Sequence, residues 1–208
     1  MWIRSKSFGT GERIPERCAF GRPGRQEPME LAENLNPALE WGDLPDGTRS
    51  LVILCHDPDA PASPDDVNQE GKRIPADAPR ADFFHWVLVD LDPASGAIEE
   101  GEFSRGVTAG GKPGPDAPRG TRAGLNDYTD FLAGDPEMKG EYFGYDGPCP
   151  PWNDEKAHVY HFTLYALDVP RCPVSGTFRG LEVKRAIAPH VLAEASLSGF
   201  YAINREVR

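Results

Sequence analysis

Four positions along this chain carry side chains whose types and spacing suit them to hold an anion or move a proton, and a fifth segment offers main-chain amides. Asp57 follows Cys55-His56 and opens the stiff segment Asp57-Pro58-Asp59-Ala60-Pro61. His85 sits in the apolar run Phe83-Phe84-His85-Trp86-Val87. Gly144-Tyr-Asp146-Gly147-Pro148-Cys-Pro150-Pro151 leads through a polar spacer to His158-Val-Tyr160-His161-Phe162. Imidazoles, a phenol and exposed main-chain amides make a donor-rich pocket suited to phosphate or carboxylate. The same Asp57, His85 and His158 are also the parts of an acid–base catalyst. No convincing nucleophile accompanies them: G-x-S-x-G is absent, and Cys55 lies in a buried run where it reads as core. Binding is therefore the preferred chemistry, with an acid–base hydrolase as the alternative.

These residues need strands to place them. Ser50–His56 and Phe83–Leu91 read as buried strands, short apolar runs bounded by turn residues. Val159–Leu167 is a third. Alternation along it puts His158 and Tyr160 on one face and His161 on the other; in the Phe83 run it groups Phe83, His85 and Val87. Trp2–Phe8 opens the chain as a short strand, and Ser63–Asp82 is a polar loop. Val183, Ile187, Val191 and Ala195 recur every four residues, which predicts a helix that Pro189 splits into a short C-terminal pair. Phe200–Ile203 is the last strand. Separated strands with a late helical pair define the fold class: mainly β, an antiparallel β-sandwich, in one domain spanning 1–208.

Composition narrows the partners. With 22 basic and 33 acidic side chains the net charge is −11, which disfavours nucleic acid and anionic membranes as bulk surfaces. Residues 1–25 run against this, with six basic and two acidic side chains, and read as a solvated edge. No apolar run approaches the ~18–20 residues of a membrane span, and the N-terminus has no signal-peptide pattern, so a cytoplasmic protein without integral membrane association is expected. Cys18, Cys55, Cys149 and Cys172 form no CxxC pair or Cys/His ladder; reduced thiols, no metal and no cofactor are expected. The 104–124 stretch holds six Gly and three Pro and reads as an irregular loop. Its Gly106-Val-Thr-Ala-Gly-Gly111-Lys112 mimics a phosphate-binding P-loop, but Pro113 stands where a hydroxyl and a helix start are required. Ala60-Pro61 is a candidate cis bond.

Taken in order, Asp57-Pro-Asp-Ala-Pro61, Phe84-His85-Trp86, Gly147-Pro148-x-Pro-Pro151, and His158-x-Tyr160-x-Phe162 with Leu164-Tyr-Ala-Leu167 resemble the phosphatidylethanolamine-binding protein family. More closely they resemble its bacterial and archaeal Raf-kinase-inhibitor-like, or YbhB/YbcL-like, branch. Ser7-Phe8, Ile14-Pro15, Asn36-Pro37-x-Leu39-x-Trp41, Asn126-Asp127 and the tail from His190 to Tyr201 extend the likeness over most of the chain. The resemblance implies a β-sandwich with a small anion pocket near its surface, lined by Asp57, His85, His158 and Tyr160. It implies anion contacts from the Asp146-Gly147 backbone, and a small ligand such as phosphate, a phosphoethanolamine-type headgroup or a carboxylate. It also implies a homodimer, and raises inhibition of a kinase or peptidase through protein contact as a further alternative. Three departures bear on the pocket. Val159 replaces the usual Arg, which leaves a nearby acid such as Asp59 short of a charge partner. Asp146 replaces a small residue, which sets a carboxylate close to the anion. The spacer 152–157 is more acidic than usual.

Overall fold

The computed structural model describes residues 1–207. Among them the chain forms β1 (Trp2–Ser5), β2 (Gly21–Pro23), β3 (Met29–Leu31), β4 (Leu39–Gly42), β5 (Ser50–Pro61), β6 (Arg80–Leu91) and β7 (Ala97–Ile98). There follow β8 (Gly111–Lys112), β9 (Arg122–Ala123), the short helix α1 (Tyr128–Phe131), β10 (Glu141–Tyr142), β11 (His158–Leu167), α2 (Gly180–Ile187) and β12 (Val191–Tyr201). The main sheet runs β12-β11-β5-β6-β9 and a smaller sheet runs β1-β4-β7, each with antiparallel neighbours.

The long strands are apolar on both faces because both faces are covered. On the inner face Leu51, Ile53, Trp86, Leu88, Phe162 and Leu164 pack against Ile3, Leu39, Trp41 and Ile98 of the smaller sheet. On the outer face Val52, Leu54, Val87 and Val89 pack beneath Val183 and Ile187 of α2. This is the expected mainly-β sandwich with a C-terminal helix.

Several boundaries move. The first strand stops at Ser5. β5 continues through Asp57-Pro-Asp-Ala-Pro61 instead of ending at a loop mouth. The stretch after Pro189 is a correction. A single turn (Ala188–His190) follows α2, and Val191–Tyr201 is then strand, paired with β11 along its length. A four-residue spacing satisfies a period of two as well as a helical turn. The long-range ladder to β11 decides between them, so Val191 and Ala195 are not helical. The peptide bond between Gly114 and Pro115 is cis, and the one between Ala60 and Pro61 is trans. Gly111-Lys112 is a two-residue strand with no helix after it, in keeping with the rejection of a P-loop.

Candidate functional site

The site is a pit between β5, β6 and β11 with a polar floor and an apolar mouth. Asp57, His85, His158 and Tyr160 line it together with Pro61, Pro64, Phe83, Phe131, Cys149 and Pro150. The cavity volume is about 80 Å³, several times what one water needs.

Two of the four floor residues arrive by simple alternation. His158 and Tyr160 point inward from β11 while His161 points outward, as the sequence predicts. His85 arrives through a bulge. Cys55 pairs with Trp86 but His56 pairs with Phe84, so His85 is one extra residue in β6. The bulge turns consecutive side chains His85 and Trp86 to the inner face, leaving Phe84 and Val87 together on the outer one. The expected grouping of Phe83, His85 and Val87 is therefore corrected: Phe83 and His85 share the pit, and Val87 faces outward. A second bulge between Asp57 and Ala60 shapes the other rim.

His158 is held by two carboxylates. Its Nδ1 lies 2.7 Å from Asp57 Oδ2 and its Nε2 lies 3.1 Å from Asp154 Oδ2. Carboxylates only accept, so both ring nitrogens donate and the ring is an imidazolium. Burial alone would lower its pKa; the hydrogen bonds and charges of Asp154 and Asp57 outweigh this and push it up to about 9. The second carboxylate belongs to a relay. Asp154 also binds Arg80, at 2.5 and 3.0 Å. Its pKa is lowered because the hydrogen bonds of His158 and Arg80 exceed the cost of burial.

Asp59, expected to lack a partner opposite Val159, accepts the Val159 N–H at 2.9 Å and lies 2.6 Å from Lys156 Nζ. Burial disfavours its charge, but these contacts prevail and lower its pKa. The acidic spacer thus supplies a substitute cation in Lys156 and, in Asp154, a ligand for His158. Sequence reasoning missed both, as well as Arg80, because nothing local links them to the pocket.

Asp146 and Gly147 stand behind the floor and do not line the cavity. The Asp146 side chain is fully buried. Asn34 and Asn126 each donate to it at 2.7 Å, and Lys112 Nζ lies 2.9 Å away. Its carboxylate is therefore turned from any anion and neutralised by the lysine of the P-loop-like stretch. Both amides expected to be free donors are engaged: Asp146 N–H donates to His85 O at 2.9 Å, and Gly147 N–H donates to Asn34 Oδ1 at 2.8 Å. Gly147 is required for close packing, since a Cβ there would meet Cys18 O at 2.0 Å.

The Asp146 carbonyl does act on the site. It lies 2.8 Å from His85 Nδ1, and a carbonyl only accepts, so Nδ1 carries a proton. Burial lowers the His85 pKa despite the raising effects of Asp57 and Asp146. The neutral ring then presents a bare lone pair at Nε2, which makes no hydrogen bond among the described residues. Beside it, with ring centroids 5.1 Å apart, is Tyr160, whose hydroxyl is buried without a partner among the described residues.

One consequence concerns stability. The His158 pKa is raised above its unfolded value near 6.5, so its contribution is complete below pH 6.5 and is lost as pH rises through about 9. The whole loss is about 3 kcal/mol at 1.36 kcal/mol per unit. Roughly half of it should fall between pH 6.5 and 8, before the thiols of the unfolded chain ionise. Urea midpoints across that window should decline in the wild type and stay level in His158→Ala.

A two-sheet sandwich with a pit at the end of its central strands is a framework for holding a small ligand. Residues 4–202 match the family model described as phosphatidylethanolamine-binding protein, and the chain belongs to that family. UPF0098 protein YbhB of Escherichia coli strain K12 is 31% identical over 202 residues, spanning 97% of this chain and 100% of that protein. UPF0098 protein YbcL of the same strain is 27% identical, spanning 97% and 87%. The crystal structure of E. coli YbcL, described as a new member of the mammalian PEBP family, shares the fold. Its TM-score is 0.66 at 23% identity, over 97% of each chain. The homolog CT736 from Chlamydia trachomatis gives a TM-score of 0.62 at 25% identity, over 96% of this chain and 95% of that one. No helix among the described residues is long and apolar enough to cross a membrane.

Proposed function

We propose that this chain binds one small oxyanion in the cavity between β5, β6 and β11: a phosphate, a phosphoethanolamine-type headgroup or a carboxylate. We further propose that it acts as a regulatory binding protein and not as an enzyme. The observation that carries the reading is the pairing of the unpartnered Tyr160 hydroxyl with the unengaged Nε2 of His85. Every other charge at the floor is matched: Asp57 with His158, Asp154 with Arg80 and Asp59 with Lys156. Two groups await a ligand that accepts from a phenol and shares a proton with an imidazole. Pro61, Pro64, Phe83 and Phe131 at the mouth suit an apolar substituent on that ligand.

Catalysis lacks its parts. His158 cannot serve as a base while both nitrogens donate to carboxylates. Cys149, on the cavity wall, has its thiol pushed up by burial to about 12, and Cys55 is core. Neither supplies a thiolate near pH 7.

The proton on His85 gives the test. Sulfate carries none near neutrality and must bind the imidazolium form, since a lone pair repels it. Its affinity should rise about tenfold per unit as pH falls from 7.5 to 6.5, the lowered His85 pKa keeping the free ring neutral there. Phosphate brings its own proton and should show a shallower dependence. His85→Ala should abolish the sulfate slope and weaken both ions at least tenfold, measured by calorimetry. Equal affinity in wild type and variant would overturn the reading.

A further inference from the structure

The face of the main sheet opposite the pit carries a second arrangement that anion binding does not use. His56 on β5 and His161 on β11 are direct cross-strand partners. Their rings stack 5.2 Å apart at 26°. Neither ring makes a hydrogen bond within the described residues, unlike His85, His158 and His190. Both open onto a shallow groove shared with Thr163, Tyr165, Glu194 and Ser196, while Phe84 backs His56 at 5.9 Å.

We propose that His56 and His161 form an exchangeable chelating site for a borderline divalent transition cation such as Cu²⁺, Ni²⁺ or Zn²⁺. Imidazole nitrogen suits these ions and not Mg²⁺ or Ca²⁺. Directly opposed residues of an antiparallel pair hold their Cβ atoms about 5 Å apart, so the strands fix the two rings before the ion arrives. Glu194 on β12 lines the same groove. No three His, Cys, Asp or Glu side chains converge among the described residues, so water fills the remaining positions and the ion exchanges readily.

The chain has no local Cys or His ladder, so no metal is expected from its sequence. This pair is made by β5–β11 register alone, between residues far apart in the chain.

The test is a calorimetric titration of the full chain, freed of metal by chelator, with Cu²⁺, Ni²⁺ and Zn²⁺ at pH 7.5. One site per chain is expected, with Cu²⁺ tightest. His56→Gln and His161→Gln should each weaken Cu²⁺ by about 10²-fold, because a chelate becomes a single contact; His190→Gln should leave it unchanged. Substoichiometric Cu²⁺ added to the unaltered protein should broaden the ring-proton resonances of His56 and His161 first. Unchanged affinity in either variant, or first broadening at His190, would overturn the proposal.

Discussion

His158→Ala should cost the fold about 3–5 kcal/mol at pH 7, the penalty for stranding buried charges whose partner is removed. The imidazolium lies between Asp57 and Asp154 and is 1% exposed. Arg80 still reaches Asp154 in the variant. Asp57 keeps only the Asp59 N–H at 2.7 Å, so its charge goes largely unmatched. The deficit should reach its full size near pH 6.5, where the His158 contribution is complete, and should shrink only below that, towards pH 5, as the stranded carboxylates take up protons. Adding Asp57→Asn should restore part of the loss, because the buried charge goes with its partner; a coupling of about 0.5–3 kcal/mol is the usual range for contacting groups. Urea denaturation of the two singles and the double measures all of this. A loss under about 1 kcal/mol in His158→Ala would mean that the triad is not formed as described.

Tyr160→Phe should separate stability from binding. The hydroxyl is buried with no partner, and an unsatisfied buried polar group costs about 1–3 kcal/mol. Its removal should leave the empty protein as stable as the wild type or up to about 1–3 kcal/mol more so. Affinity should move the other way. A hydrogen bond to a charged ligand contributes about 1.5–3 kcal/mol, which corresponds to roughly 10–100-fold weaker phosphate or sulfate binding. Most core substitutions lower both quantities together, so this opposition of signs marks a group kept for a ligand. Melting temperature and anion titration on one preparation suffice. A variant that loses stability would show that the hydroxyl has a partner in the native protein, and one that keeps full affinity would remove Tyr160 from the site.

Much of this was legible in the sequence. The buried runs around Ser50, Phe83 and Val159 are strands because both sheet faces are covered. The inward turn of His158 and Tyr160 follows from alternation alone. What escaped depends on long-range pairing. The extra residue that aims His85 exists only in the register of β5 against β6. The strand at Val191–Tyr201 is decided by β11, since its local spacing fits a helix equally well. The hidden side of Asp146 is set by Asn34, Asn126 and Lys112, which come from three separate loops and strands. Asp154 and Lys156 read as a merely acidic spacer until β11 and the Ser63–Arg80 connection fold around them.

The proposed site sets an anion against Tyr160 and a proton-bearing His85, beside a His158 that is charged throughout. Side-chain ¹⁵N spectra of the histidines across pH 5–8, without and with saturating sulfate, observe this directly. His158 should stay doubly protonated across the range in both series. His85 should be neutral at pH 7 with its proton on Nδ1 when sulfate is absent, and should gain a proton on Nε2 when sulfate is bound. A His85 titration that sulfate leaves in place, or a His158 that turns neutral by pH 7, would contradict it.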